Sequence, residues 1–358
     1  ETMYHSNTMD AAARYGMLLL AVNLRLFDAN TNVTTADSAG NDLSPEMKTF
    51  YDKNLIRLTK PLLVHDQFGQ KRPIPKNGGK TIEFRKFAPL AKATTPLTEG
   101  VTPDGQKLDV SAITATVSQY GGYVTLSDLL QLTAIDNIMV EATEALSSQA
   151  GRTLDTITRD ILAAGTNVQY AEGQVSSRAN LVGGSTAANN HYLTVKAVKM
   201  AVRTLKNQNT ARISGDFVGI IHPDVAFDFT EDPEWKYPHQ YVDTKEIYSG
   251  EIGKIAGVRF VETTEAKKWI NAGKNDSTAT SRDVYSTLIL GANAYGVTEL
   301  DGGGLQMIVK QLGSGGTADP LNQRATVGWK AAKTAEILVQ QYMVRIETTS
   351  SNNDHQAN

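Results

Sequence analysis

The strongest periodicity in the chain lies in residues 135–162, which read IDNIMVEATEALSSQAGRTLDTITRDIL. Apolar side chains recur there three and four residues apart, as they do along one face of an α-helix. Thr133 and Asp136 have the spacing of a capping box, and Gly165 supplies a stop signal. The pattern predicts a helix of about 31 residues, on the order of 45 Å long. Its many small residues favour packing on a sheet over a coiled-coil seam.

Two segments with period-two alternation precede this helix. Thr81–Phe87 and Leu108–Val117 alternate apolar and polar residues, which is typical of strands. Between them, residues 88–105 are rich in proline, glycine and threonine. The pattern predicts an extended hairpin with a polar tip. Because a two-stranded ribbon is marginal in water, we expect the ribbon formed by Lys71–Val124 to lie on another subunit.

The remaining chain alternates helices and strands. Thr194 is a predicted N-cap, and Pro223 and Asp224 open a helix after the apolar strand Phe217–Ile221. The tail from Thr348 is polar, so we expect it to be frayed. Further elements are predicted as helices at Met9–Leu26, Ser44–Leu58 and Val195–Leu205, and as strands at Val258–Val261, Ser286–Leu290, Leu305–Val309, Arg324–Leu338 and Met343–Glu347. A helix-rich domain is thus interrupted by an inserted α/β domain.

Composition narrows the functional classes. The chain has 358 residues, enough for two domains, with a net charge of −3 and no cysteine, which excludes disulfides and thiolate chemistry. The apolar run Met17–Val22 is too short to span a bilayer and follows no basic leader, so we expect neither export nor a membrane anchor. The sequence starts at Glu1 rather than Met, which leaves upstream processing open. Between Lys48 and Lys92 there are eleven basic and three acidic residues. A solvated basic loop and a contact with nucleic acid or an acidic neighbour are equally compatible with this excess.

Motifs for catalysis are lacking in the sequence. No phosphate loop or dinucleotide-binding fingerprint is present, and we interpret Gly302–Gly304 as a turn and Gly313–Gly315 as a flexible loop. His222, Asp224 and Asp228 could in principle bind a metal, but a helix-start role for His222 fits better. The acidic residues of the segment 231–234 are interpreted as a solvated loop. We therefore predict no catalytic, cofactor-binding or metal-binding residues.

Seven short motifs, in order along the chain, resemble the N-four-like podophage major capsid protein family. They are Ser44–Lys53, Pro96–Pro103, Gln119–Tyr123, Ile221–Asp224, Gly250–Gly253, Asp319–Gln323 and Gly328–Lys330. The resemblance implies an α+β fold of the Hong Kong ninety-seven type. Its parts would be an N-terminal arm (1–66), an extended β-hairpin loop (67–124), a peripheral domain with a long spine helix (125–189 and 319–358) and an inserted α/β axial domain (190–318). Residues 1 to about 40 look like an addition to the family pattern, and we expect them to contact an adjacent subunit.

The function implied by this resemblance is self-assembly into hexamers and pentamers of an icosahedral phage head around double-stranded DNA. Decoration, scaffold and portal proteins would be further partners, and the protein would reside in the virion capsid after assembly in the host cytoplasm. We expect the inter-subunit contacts at the loop tip, in Pro96, Thr98, Glu99, Val101, Pro103 and Asp104. Two alternatives stay open: the shell of an encapsulin-like nanocompartment enclosing protein cargo, and an α/β enzyme.

Overall fold

The structure, a computed structural model, describes residues 63–74, 79–87, 90–102, 104–133, 138–173, 175–184, 190–235, 251–275, 281–299, 304–315 and 319–358. The predicted helices Met9–Leu26 and Ser44–Leu58 lie outside these residues. The described residues belong to two compact units. One holds residues 125–133 and 309–326, and the other holds the described parts of 63–124, 134–308 and 327–358.

The secondary structure of the described residues is mixed. The helices are α1 (Asp128–Thr133), α2 (Ile138–Ala163), α3 (Val195–Asn207) and α4 (Pro223–Glu231). The strands are β1 (Gln70–Arg72), β2 (Thr81–Phe87), β3 (Val110–Thr116), β4 (Ser118–Ser127), β5 (Val168–Tyr170), β6 (Val182–Gly183), β7 (Phe217–Ile221), β8 (Glu251–Ile255), β9 (Val258–Glu262), β10 (Lys268–Asn275), β11 (Arg282–Leu290), β12 (Tyr295–Thr298), β13 (Leu305–Lys310), β14 (Arg324–Lys333), β15 (Ala335–Ile337) and β16 (Met343–Thr348).

An eight-stranded mixed sheet forms the centre of the larger unit. Its strand order is β5-β16-β11-β7-β9-β8, with β10 pairing to β11 and to β6. Strand β16 is parallel to β5 and antiparallel to β11. Smaller sheets have the orders β1-β12-β15 and β13-β14-β4, and β2 pairs with β3 alone. The sheet therefore joins strands that are far apart in sequence.

Both faces of the central sheet are covered, as the fully buried strand β7 shows. Phe217 and Ile221 belong to the apolar cluster that includes α3 and α4. Val218 and Ile220 point to the other face, where they join a cluster that includes Leu162 of α2. Because successive side chains of a strand alternate between faces, one short apolar run supplies both cores. That explains why β7 is a continuous apolar segment rather than an alternating one.

The long helix is shorter than predicted. Helix α2 has 26 residues, which corresponds to about 39 Å. The predicted N-cap Thr133 is instead the last residue of the separate helix α1, so the capping-box prediction was wrong. Residues 134–137, where the expected rod would begin, lie outside the described residues. At the C-terminal end the prediction holds, because α2 ends at Ala163 and the Gly165 amide donates to the Leu162 carbonyl (3.1 Å).

Two predicted helix starts are confirmed. The Thr194 side chain accepts a hydrogen bond from the Ala197 amide, as an N-cap does, and α3 follows. His222 is the N-cap of α4, and its side chain accepts from the Asp224 amide. Pro223 occupies the first helical turn, where the missing amide hydrogen costs nothing.

The prediction of a frayed tail was wrong. Thr348, Thr349 and Ser350 are buried, and residues 351–358 continue along the α/β region as a polar strap. Asp228 Oδ2 accepts from the Ser351 amide (2.8 Å), and Asp283 Oδ2 accepts from the His355 amide (3.0 Å). The tail is polar and largely exposed, and its hydrogen bonds to carboxylates hold it in place.

Candidate inter-subunit surface

The predicted hairpin is present, and its root packs on its own subunit. Strands β2 and β3 are antiparallel, with Thr81 opposite Thr116 and Phe87 opposite Val110. Ile82, Phe84 and Ala115 are buried in a cluster that includes Leu338. The expectation that the whole ribbon depends on a neighbouring chain is therefore wrong for this root.

A glycine accommodates the ribbon root. Gly296 lies in β12, and a Cβ atom at that position would stand 2.3 Å from Cε1 of Phe84. Such a distance is far below van der Waals contact, so only glycine leaves space for the ring. Strand β1, which leads into the ribbon, pairs in parallel with the same strand through Gln70 and Gly296. The root is thereby fixed by backbone pairing and by side-chain packing.

The described residues between Leu90 and Val110, which we call the distal ribbon, are not buried against their own chain. Every described residue from Leu90 to Val110 is exposed, including the large apolar side chains of Leu90, Leu97, Val101, Leu108 and Val110. Leu97 is 77% exposed. The Val101 amide donates to the Thr98 carbonyl (3.2 Å), and Gly100 has φ +77°. A positive φ at the third residue of a four-residue turn is the signature of a type II turn. The tip is therefore a turned, polar loop that also exposes apolar side chains.

The predicted contact residues lie together at this tip. Pro96, Thr98, Glu99, Val101 and Asp104 are all exposed. Pro103 lies outside the described residues. No partner chain is present in the structure, so their role in contacts stays a prediction.

A buried polar cluster anchors the chain just before the ribbon. His65 Nδ1 lies 2.7 Å from Asp155 Oδ2 of α2, and both side chains are inaccessible to solvent. Thr158 Oγ1 donates to Asp66 Oδ1 (2.6 Å), and the Lys333 ammonium donates to Asp66 Oδ2. A charge without its partner is costly in such a site. The cluster therefore ties residues 65–66 to the C-terminal half of α2 and to β14.

Tyr295 completes this anchor. Its hydroxyl donates to the His65 carbonyl. Full burial, together with the nearby carboxylates of Asp66 and Asp155, raises the pKa of Tyr295 well above its ordinary value of 10.0. The phenol is thus held neutral as a hydrogen-bond donor. No local pattern in the sequence indicates this cluster, because its members are up to 267 positions apart.

Two of the motifs behind the family resemblance meet in space. A Cβ at Gly121 would stand 2.7 Å from the Trp329 carbonyl oxygen, and one at Gly328 would stand 2.8 Å from Tyr123 Cβ. The Trp329 indole donates to Gln149 Oε1 of α2 (3.0 Å). The glycines let β4 and β14 approach closely, and the tryptophan binds this pair of strands to the helix.

The metal hypothesis for the His222 segment finds no support in the described residues. Asp224 accepts hydrogen bonds from the Tyr285 hydroxyl (2.8 Å) and from Asn352 Nδ2 (3.0 Å). Both of its carboxylate oxygens are therefore engaged in structural hydrogen bonds. Burial lowers the pKa of His222, and the repulsion from Lys268 adds to this, against the opposing effect of Asp224. Within the described ranges, no three or more His, Cys, Asp or Glu residues are grouped so as to hold a metal ion.

The other segments considered for a functional role also have structural explanations. The Ser314 hydroxyl donates to the Gln311 carbonyl (2.6 Å), so the Gly313–Gly315 segment is a closed turn. Asp232 accepts from the amides of Val195 (3.0 Å) and Glu234 (2.8 Å), which explains part of the acidic segment 231–234. Of Gly302–Gly304, only Gly304 is described, and it lies in a turn. Across the described part of the chain, no helix is long and apolar enough to cross a membrane.

Comparison with solved structures defines the class of the fold. The capsid protein of Ralstonia phage GP4 superposes with a TM-score of 0.63 at 13% identity, covering 80% of this chain and 88% of that chain. The capsid protein of cyanophage Pam1 gives 0.56 at 16% identity, covering 77% and 86%. The head structure of Helicobacter pylori bacteriophage KHP40 gives 0.55 at 11% identity, covering 80% and 88%. No curated protein sequence matches the chain. The chain thus has the α+β, Hong Kong ninety-seven type fold of phage capsid subunits, as predicted.

Family membership follows from the sequence itself. Residues 64–312, more than half of the chain, match the family model described as phage capsid protein. The chain belongs to that family and is a structural major capsid protein of a phage head, located in the virion capsid and assembled from repeated subunits. This finding favours the phage head over the nanocompartment shell and the enzyme.

Proposed function

We propose that the distal ribbon is the arm through which each subunit grips a neighbour in a shell of hexamers and pentamers. The observation that carries the proposal is the contrast along the ribbon: its root is buried on its own subunit, and its distal part exposes five large apolar side chains. Exposed apolar clusters on a soluble chain mark interaction sites.

The root and the distal ribbon have different roles in such a contact. The root has its ladder of β2–β3 hydrogen bonds and the Phe84 anchor, so the direction of the ribbon is set before it meets a partner. Preorganisation lowers the ordering cost of binding. Repetition of one such contact around a ring multiplies weak pairwise affinities, because the later contacts form at high effective concentration.

The proposal extends to the contents of the shell and to its partner proteins. The interior would hold double-stranded DNA without sequence preference, and scaffold, portal and decoration proteins would join during assembly in the host cytoplasm. Exposed Lys71, Arg72, Lys80 and Lys92 supply positive charge near the ribbon, which suits DNA phosphates or an acidic neighbour. The subunit itself would catalyse no reaction. The division into arm, extended loop, peripheral and axial domains, with the boundaries given above, stays part of this proposal.

The proposal is tested by removing the tip of the distal ribbon. Replacing residues 91–107 by a short glycine–serine turn should leave a folded subunit, because the Ile82–Phe84–Ala115 cluster lies outside the deletion. We expect circular dichroism and thermal unfolding close to those of the parent, and no shells by electron microscopy. A control carries Gln356→Ala, an exposed position outside the ribbon, and should form normal shells. Normal shells from the tip deletion would refute the proposal.

A further inference from the structure

Lys333 and Asp66 bring an amine and a carboxylate into contact inside the subunit. The Lys333 ammonium donates to Asp66 Oδ2. The Lys333 side chain is inaccessible to solvent, and that of Asp66 is 9% exposed. Of the described lysines, Lys268 and Lys333 are the buried ones. Bulk water is therefore largely excluded from the place where the two groups meet.

Apolar residues surround this pair. Val64 and Phe68 lie two positions to either side of Asp66, and Ala335 lies two positions after Lys333; all three belong to the buried cluster that contains Tyr295. Such a site deprives both charges of the solvation that they would have in water. A covalent bond that removes both charges would remove this cost, so the site favours condensation more than an exposed pair does.

The Asp66 carboxylate is also oriented for attack by the amine. Thr158 Oγ1 donates to Asp66 Oδ1 (2.6 Å), whereas Lys333 contacts Oδ2. Oδ1 thus has a donor that can stabilise negative charge, as an oxyanion-hole donor does, and Oδ2 faces a source of protons. An amine that contacts a carboxylate oxygen also stands near the carboxyl carbon, and reacting atoms about 3–3.5 Å apart form a near-attack arrangement.

We propose that Lys333 and Asp66 condense to an isopeptide bond within each subunit. A proton passes from the ammonium to Asp66 Oδ2, and the neutral amine attacks Asp66 Cγ. Negative charge develops on Oδ1, to which Thr158 donates. A second proton moves from the nitrogen to Oδ2, the Cγ–Oδ2 bond breaks, and one water leaves. The third proton stays on the amide nitrogen, so the charges cancel and no other reactant is needed.

The bond would join the residues just before the ribbon to the end of β14, across 267 positions. A cross-link over such a distance restricts the unfolded chain, as a long-range disulfide does. Each subunit would react once, on itself, and no copies would be linked to each other. The ribbon proposal concerns an exposed contact between subunits, so either proposal can fail without the other.

Mass spectrometry of the denatured full-length subunit tests the bond. The wild-type subunit should be lighter than its sequence by the mass of one water. A tryptic digest should contain a branched peptide that joins Asp66 to Lys333 and is uncleaved after Lys333. An unmodified mass would mean that the two groups remain an ion pair, and a water loss without the branched peptide would mean a cyclised side chain. Both results would overturn the proposal, as would a branched peptide found in covalent dimers on a denaturing gel.

Three lysine variants locate the reacting amine. Lys333→Arg keeps a cation beside Asp66 but has no amine, so it should have the full mass. Lys330→Arg, at an exposed position of the same strand, should retain the water loss. Lys268→Arg should retain it as well, because the carboxylate that Lys268 contacts belongs to Asp354, which is 45% exposed and stays solvated. Loss of the modification in either control would place the reaction elsewhere and overturn the proposal.

Thr158→Val tests the course of the reaction. In pulse-chase mass measurements, the water loss should be at least about a hundredfold slower than in wild type, because removal of one oxyanion donor typically has an effect of this size. Equal rates would overturn the role of Thr158. The peptide map of the wild-type subunit decides the existence of the bond even if a variant does not fold.

Discussion

The ring of Phe84 occupies the place that a side chain at position 296 would need. Its Cε1 atom would lie 2.3 Å from a Cβ built on Gly296, and its Cζ atom would lie 2.7 Å away. The two residues lie on different sheets and 212 positions apart. The Phe84 ring fits in its place because residue 296 has no side chain. The contact fixes the ribbon root to the body of the subunit.

Gly296→Ala should therefore loosen the ribbon root. Overpacking of this kind costs about 1–3 kcal/mol, and we expect the free energy of unfolding to fall by that amount in denaturant titrations. Gly105→Ala is the matched control, because a Cβ there meets nothing within 4 Å. A Gly296→Ala protein as stable as the control would mean that the ring moves aside freely.

Lys333→Met should be strongly destabilising. It leaves the Asp66 carboxylate buried without its cation, and breaking one side of a buried ion pair typically costs about 3–5 kcal/mol. Lys330→Met, an exposed position of the same strand, should change stability by less than about 0.5 kcal/mol. The double variant Asp66→Asn/Lys333→Met should recover part of the loss, and no recovery would show that the two charges do not act as a pair.

Truncation at Ser351 should destabilise the α/β region. It removes the hydrogen bonds of Asn353 and His355 to Asp283 and the ion pair of Asp354 with the buried Lys268. Buried polar groups that lose their partners cost about 1–3 kcal/mol each, so hydrogen exchange of β10 and β11 should accelerate at least tenfold. Gln356→Ala, an exposed position in the same strap, should leave exchange unchanged. Unaltered exchange after truncation would mean that the strap adds no stability.

Asp216 should make stability depend on pH. Burial works against its charged form, but hydrogen bonds and charges from Lys254 and Arg259 outweigh this and hold its pKa below the ordinary 3.8. Because the folded-state pKa is the lower one, the unfolded chain takes up the proton first. The stabilisation is thus present above about pH 4 and is lost as the pH falls through the folded-state pKa.

The measurement is the free energy of unfolding between about pH 6 and about pH 3. The decline should be smaller in Asp216→Asn than in wild type. Asp104→Asn, an exposed position, should follow the wild-type curve. Parallel curves for wild type and Asp216→Asn would show that this carboxylate does not contribute.

Local signals in the sequence were sufficient for several elements. Thr194 and His222 were predicted as helix starts because caps act on amides two or three residues away. The bounds of β2 were predicted from alternation alone. The start of α2 was not, because the apolar spacing that begins at Ile135 gives no signal that sets Ile138 apart.

Long-range partners account for the errors. The tail was predicted to be frayed from its polar composition, but its amides and side chains bind Asp224, Asp228 and Asp283, which composition does not pair with it. The ribbon was predicted to depend on a neighbour because nothing local shows that Gly296 leaves space for Phe84. The described residues of the predicted contact set are exposed, as the polar composition of the tip indicates, and their role in inter-subunit contacts stays a prediction.

The position of β16 in the sequence determines when the central sheet can form during translation. It fills the gap between β5 and β11, although it comes from Met343–Thr348 near the end of the sequence. Until translation has passed residue 348, the central sheet lacks an inner member, and both its neighbours have open edges. Pairing across such separations is slow to form. A nascent subunit thus cannot complete its central sheet, or join a growing lattice as a finished body, until residue 348 has been made.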